Sequence, residues 1–287
     1  MAEVLVVGSA VLDFVYQMET LPKTAEKYKA NMMEIVGGGC AANAAVAISR
    51  LGGDAKLLAR FGNDYVYDIV RQDLESEGID LSLLDVSNGR SAMSSVYVNA
   101  DGERQIMAFR GTELSEHPTP LEPRDTVVLA DTRWPDAARM AFASTTGATV
   151  LDGEAPIPRD LAMAASHVVF SEQGLADFTG IAHNDTALLE VARVLPGFVA
   201  VTCGPKGVIW VDEGVLQHEP AFQIDVQDTL GAGDVWHGTF ALMLAEGHTE
   251  EYAIRSANAA AAIKCTGTGR SAAPTRNALN QFLKERT

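Results

Sequence analysis

Cysteine is scarce: three residues (Cys40, Cys203, Cys265), widely spaced and without a Cys-x-x-Cys pair, in a chain of 287. An odd, scattered set excludes a disulfide framework and a cysteine-based zinc site, and points to free thiols in a reducing compartment. No apolar run reaches the roughly 18 residues a membrane span requires. The chain opens on a strand-like run rather than the charged-then-apolar pattern of a leader, so a cytoplasmic location is expected. No Lys/Arg cluster reaches five, and the formal net charge is −16. Neither nucleic acid nor an anionic membrane is therefore an expected partner. A small anionic substrate stays open, because it needs only a local basic pocket. Repeats, low-complexity tracts and linkers are also missing, and residues 1–287 read as one domain.

What is present centres on Asp228-Thr229-Leu230-Gly231-Ala232-Gly233-Asp234, between a strand-like run (221–226) and a helix-like run (235–246). Glycines 231 and 233 let the backbone turn sharply, and amides opening a helix favour an anion. Asp234 in that first turn is placed to take a proton from a hydroxyl attacking a bound phosphate. A dipole-partner role for Asp234 and a mere tight turn are the plain alternatives.

A second glycine-rich stretch, Gly37-Gly38-Gly39, opens an alanine-rich helix closed by Leu51-Gly52-Gly53. Asn43 is the polar side chain on its first turns, either a capping group or a ligand contact. Asp13 follows the first strand (3–8), where ligands collect in open α/β sheets. Segment 14–36 reads as one or two strands leaving the body. Runs 93–99 and 103–109 flank Asp101-Gly102 as a hairpin, and the two segments together suggest a small sheet standing off the main one. A helix over 64–78 presents Ile69, Val70 and Leu74 on one face. From about residue 125, strands and helices alternate, which means a parallel sheet covered on both faces. Runs 208–212 and 215–219 suit an antiparallel edge pair, and three helices close the chain at 232–246, 250–265 and 275–284.

With both glycine-rich motifs in order, the chain resembles the PfkB (ribokinase-like) family of sugar kinases along essentially its whole length. The resemblance implies a doubly wound, mostly parallel sheet sandwiched by helices. It adds a small β-sheet lid, roughly 14–36 and 91–110, that often forms a dimer contact. It implies transfer of the γ-phosphoryl of ATP, with Mg²⁺ and in many relatives K⁺, to a primary hydroxyl. By position, Asp234 is similar to the family's base, and the Gly231, Ala232 and Gly233 amides to its anion hole. Asp13, Gly38, Gly39 and Asn43 match positions that hold sugar hydroxyls. Thr202-Cys203-Gly204-Pro205-Lys206-Gly207 resembles the nucleotide loop, giving Thr202, Gly204 and Gly207 as nucleotide contacts, with Asn258 and Gly267 nearby. Asp228, Gly269 and Ser271 match a monovalent-cation loop.

Two departures stand out. Where the family carries Asn-x-x-Glu around Mg²⁺, this chain has Ser171-Glu172-Gln173-Gly174, leaving Ser171 beside the nucleotide and Glu172 as the candidate metal group. The string Leu151-Asp152-Gly153-Glu154 lacks the Asp-x-Asn-x-Arg pattern of many fructokinases and ribokinases. Local strings such as Asp131-Thr132-Arg133-Trp134, Trp236-His237-Gly238 and Lys264-Cys265-Thr266 resemble the sulfofructose kinase branch. That resemblance implies a ketose or acidic sugar, with 6-deoxy-6-sulfofructose as one candidate. Arg133 would then clamp an anionic oxygen group, helped by Lys27. Ribose, fructose or a keto-deoxy sugar acid are the alternatives, as is a sugar-binding regulator without catalysis. Arg133 can equally stack on Trp134 or pair with a nearby Asp.

Overall fold

Unbroken aliphatic runs form the central strands, because both of their faces are covered. In strand β1 (Glu3–Val7), Val4 and Val6 join one apolar core while Leu5 and Val7 join the other. The computed structural model describes residues 1–286. After β1 come β2 (Val11–Gln17), β3 (Met32–Gly38), helix α1 (Cys40–Arg50), β4 (Asp54–Leu58), β5 (Arg60–Gly62) and α2 (Tyr65–Ser76). Next are β6 (Asp85–Ser87), β7 (Met93–Val98), β8 (Arg104–Phe109), β9 (Val127–Ala130), α3 (Pro135–Ala143), β10 (Thr149–Gly153) and α4 (Arg159–Ala164). β11 (His167–Ser171), α5 (Glu172–Thr179), α6 (Asn184–Ala192), β12 (Phe198–Thr202), β13 (Val208–Asp212) and β14 (Val215–Glu219) follow. Helices α7 (Ala232–Ala245), α8 (Glu250–Cys265) and α9 (Arg276–Lys284) complete the order.

The main sheet has eight strands in the order β14-β13-β12-β11-β10-β9-β1-β4. Pairing is parallel from β4 to β12 and antiparallel at the β13–β14 edge. α1, α7 and α8 cover one face; α3, α4, α5 and α6 cover the other. α7 is buried from Val235 to Met243 because it lies between α1 and α8, which is why its sequence is apolar on every side. The doubly wound α/β fold expected from the alternation is the one observed.

A separate four-stranded sheet, β3-β2-β7-β8, gathers the 14–36 and 91–110 segments. β7 and β8 are the hairpin around Asp101-Gly102. Two local readings change, and one helix is added. Residues 221–226 join no ladder: after Pro220 the chain leaves β14, and the Asn258 amide donates to the carbonyls of Glu219 and Pro220. In α2 the buried residues are Val66, Val70 and Leu74, while Ile69 stays 44% exposed. Residues 172–179 form helix α5, started by the Ser171 hydroxyl accepting from the Gly174 amide. No helix of the described residues is long and apolar enough to cross a membrane.

Candidate active site

The strand ends and the two glycine-rich turns meet in one cleft of about 410 Å³. Asp13, Gly38, Gly39 and Asn43 line it together with Gly231, Gly233 and Asp234, so motifs far apart in sequence share one wall. Asp13 is not beyond the end of β1. It lies within β2, opposite Val36 on β3 and Ser94 on β7, because the chain re-enters an extended ladder at Val11. The Ser94 hydroxyl donates to its Oδ1. Burial raises the Asp13 carboxyl above its usual range, against the pull of Ser94 and the Arg270 charge. Gly38 is glycine because a Cβ there would meet Asp13 Oδ2 at 2.0 Å.

Asp234 sits in the first turn of α7, and Asn43 Nδ2 donates to its Oδ2 at 2.6 Å. Asn43 is fixed from behind by Arg270, whose Nε donates to Asn43 Oδ1 at 3.0 Å. Arg270 is anchored in turn by Asp73 at 2.5 Å. Burial, then the negative charge of Asp152, pushes the Asp234 carboxyl up to about 7; the Asn43 hydrogen bond and His237 act against this. A base that titrates near the working pH is well matched to accepting a hydroxyl proton. Burial lowers the affinity of His237, one turn on, for a proton, and its Nδ1 lies 2.8 Å from the Gly233 carbonyl.

The anion turn is narrower than three amides. Gly231 adopts φ 76°, the left-handed conformation that glycine takes without strain. The Ala232 N–H folds back to the Thr229 carbonyl at 3.2 Å, so the expected Ala232 amide is already used. Gly233 is at the start of α7, where opening amides have no partner one turn earlier.

A second cavity of about 480 Å³ adjoins the cleft. Gly204, Gly207, Val208, Phe222, Val226 and Ala261 are among its walls, and Thr202 and Gly233 line both spaces. Among the described residues, no Asp or Glu lines it. Asn258 is in the wall, but its side chain is spent internally: Oδ1 accepts from Trp236 Nε1 at 2.8 Å and Nδ2 serves two backbone carbonyls. It shapes the slot rather than offering a free contact. Ser171 lines the first cleft, while Gly267 lines neither space and donates its N–H to the Lys264 carbonyl.

Several expected residues lie elsewhere. Arg133 does not line the cleft. Its Nη2 pairs with Glu154 at 2.5 Å and its Nη1 donates to the Ala155 carbonyl, so its charge is met within the protein. Lys27 is exposed in the β2–β3 connection and lines neither cavity. Glu172 points to Asn184, accepting at 2.7 Å, and takes no place in either space. Gly174 cannot carry the missing carboxylate, since a Cβ there would lie 1.9 Å from the Gly153 carbonyl. Ser271 is exposed outside both spaces. Asp228, expected to ligate a cation, is instead paired with Lys264 at 2.9 Å and with Arg104 from β8. Those donors and the Leu230 amide hold its carboxyl below the usual range despite burial.

Ser94, Arg270 and Asp152 belong to the site without having been singled out for it. Ser94 reaches it through strand register, Arg270 through a turn after α8, and Asp152 as the buried end of β10. Burial and the nearby Glu154 and Asp131 charges raise Asp152 well above the normal carboxylate range. Only Asp152 carried a hint, as an acid closing an apolar strand.

A raised carboxylate between an alcohol-sized cleft and an apolar slot, beside a helix-start anion turn, defines a phosphotransferase acting on an alcohol. The family model for pfkB family carbohydrate kinases matches residues 1–276. An ATP-dependent ribose-1-phosphate kinase from Halopiger xanaduensis is 33% identical, over 100% of this chain and 99% of that protein. A deoxyribokinase from Salmonella typhi is 28% identical over 98% of each. A solved provisional ribokinase from Agrobacterium tumefaciens superposes with a TM-score of 0.94 at 36% identity, covering 99% of this chain and 98% of that one. The chain belongs to the pfkB family of carbohydrate kinases.

Proposed function

We propose that this kinase transfers the γ-phosphoryl of ATP to a primary hydroxyl of a small sugar, with Asp234 as base. The observation that carries this is the junction of the two spaces. Thr202 and Gly233 line both, and Asp234 lines the sugar-side cleft beside Gly233. A nucleotide in the apolar slot would present its terminal phosphate at that junction, in line with a hydroxyl held by Asp13, Gly38 and Asn43. Approach and alignment then supply most of the acceleration, as is usual for phosphoryl transfer. The Gly233 amide and the α7 dipole would receive the charge of the moving group.

A neutral pentose, its deoxy form or a similar ketose fits best. The cleft cations Arg270 and Lys264 are both paired internally, and Arg133 is held by Glu154 outside the lining. A relative named for deoxyribose points the same way, while one named for ribose 1-phosphate, an anionic sugar, supports the second reading. The second reading, an acidic sugar such as 6-deoxy-6-sulfofructose, requires Arg133 to leave Glu154. ADP release measured over ribose, deoxyribose, fructose, ribose 1-phosphate and sulfofructose separates the two. Turnover of neutral sugars should persist in Arg133→Ala; a loss of about 100-fold for a sulfonated or phosphorylated sugar alone would favour the acidic reading.

Mg²⁺ would enter with the triphosphate. Neither Glu172 nor Gly174 offers it a carboxylate, and the nucleotide slot has none, so no step is assigned to it. Residues 1–287 are read as one domain whose small sheet is a lid. Arg104 on β8 reaches Asp228 and Thr229 across the cleft mouth. Met32, Met33 and Ile35 on β3 and Ile106, Met107 and Phe109 on β8 are exposed, which supports a homodimer through the lid. Light scattering that gives a monomer mass at micromolar concentration would remove that dimer. Three free thiols suit a cytoplasmic setting, which fractionation of the native host can check.

A further inference from the structure

The Asp228 carboxylate has no room for a metal cation. A carboxylate carries about four lone-pair sites. Oδ1 accepts from the Leu230 amide at 2.9 Å and from Arg104; Oδ2 accepts from Lys264 Nζ at 2.9 Å and the Gly269 amide at 3.4 Å. The Asp228 backbone carbonyl also accepts from Lys264 Nζ, at 3.1 Å. Lys264 is 1% exposed, an unusual burial for a lysine. It belongs to the last turn of α8, whose terminal carbonyl at Cys265 receives the Gln227 and Asp228 amides. Two sources of negative charge therefore converge there: the C-terminal end of α8 and the Asp228 carboxylate. Arg104 meets the Oδ1 side from β8, and the buried ammonium supplies the positive charge where Oδ2, the Asp228 carbonyl and the α8 end converge.

We infer that Lys264 is a built-in replacement for the monovalent cation that the family resemblance implies, making this kinase independent of K⁺. The ammonium joins α8 to the first residue of the 228–234 turn. It thereby fixes the turn that ends in the Gly233 amide and Asp234, and it lines the same cleft as both. Lys264 is a positioning residue: it acts through Asp228 and the turn, without touching the transferred group. This inference rests on the kinase reading for its consequence, but the ion pair itself does not.

Wild-type turnover measured in tetramethylammonium chloride and in KCl should agree within about twofold, since the Asp228 carboxylate already has its cations in Lys264 and Arg104. Activation by K⁺ of more than about tenfold overturns the inference. Lys264→Ala leaves Asp228 with Arg104 alone and opens space for a cation beside its Oδ2 and backbone carbonyl. Its turnover should fall about 100-fold, the scale of losing one well-placed electrostatic group, with KM for sugar little changed. K⁺, ammonium or methylammonium should then restore at least about tenfold of it. A folded Lys264→Ala that is fully active, or inactive and unrestored by any of these cations, overturns the assignment. If that variant does not fold, the wild-type ion series decides alone. Should no sugar be phosphorylated at all, the kinase reading fails while melting temperatures still decide this one. Wild type should melt equally in the two salts, and a K⁺-specific rise in wild type overturns it.

Discussion

The two spaces that meet at Gly233 are built on opposite principles. The sugar-side cleft is crowded with ionisable groups, Asp13, Asp152, Glu154 and Asp234 facing Arg270 and Lys264. The nucleotide slot has no acid in its lining and is walled by residues such as Val208, Phe222, Val226 and Ala261. Charge placed on one side sets proton affinities; apolar surface on the other sets shape. Chemistry should therefore respond to single-atom changes in the cleft, and affinity to volume changes in the slot.

The largest break in that contrast is Asp234→Asn. The amide keeps the shape and the Asn43 neighbourhood but cannot accept the proton. Turnover should fall by about 10²–10⁴-fold or more, while ATP binding measured calorimetrically stays within about twofold. Retention of a tenth or more of wild-type turnover would return Asp234 to a dipole partner.

Next in size is the pH response. Asp234 titrates at about 7, and the ionised form is the base. Activity must then rise with pH through that value, and kcat/KM should lie about tenfold below its plateau one unit lower. Asp152 is the charged neighbour that raises Asp234, after burial. Asp152→Asn removes that like charge, so the acid limb should move to lower pH. Two buried carboxylates whose oxygens lie within 4.8 Å titrate as a pair, and a limb that stays in place would show that Asp152 is already neutral while Asp234 ionises.

The same contrast explains what could be read without coordinates. Asp234, Asn43, Gly38 and the Gly231 turn were legible because close backbone approach demands glycine and a helix start favours an anion. The α/β order was legible because doubly covered strands are continuously apolar. Arg133 stayed ambiguous: an arginine beyond a strand end is equally a clamp for an anion and a partner for the acid one strand over, here Glu154. Arg270 and Ser94 stayed hidden because each enters the cleft by tertiary packing, through a turn after α8 and through β2–β7 register. Asp228 matched the position of a cation ligand, yet whether a lysine one helix away reaches it depends on how α8 docks. The strand expected at 221–226 failed for a related reason: alternation describes an extended chain, but pairing needs a free edge, and Pro220 turns the chain off β14.

The smallest expected effect tests the slot. Ala261 is on α8 and faces the apolar space, whose polar wall group Asn258 is already bonded to Trp236 and two carbonyls. If nucleotide affinity comes from shape, filling that space should act on ATP alone. Ala261→Phe adds a ring to a slot of about 480 Å³ and should raise KM for ATP about tenfold. The KM for sugar and the pH limb should not move, because Asp13, Asn43 and Asp234 keep their partners. A parallel rise in sugar KM, read by varying each substrate at saturation of the other, would mean that α8 transmits the change through Lys264 to the 228–234 turn. The two spaces would then be mechanically one, and the division between charge and shape would not hold.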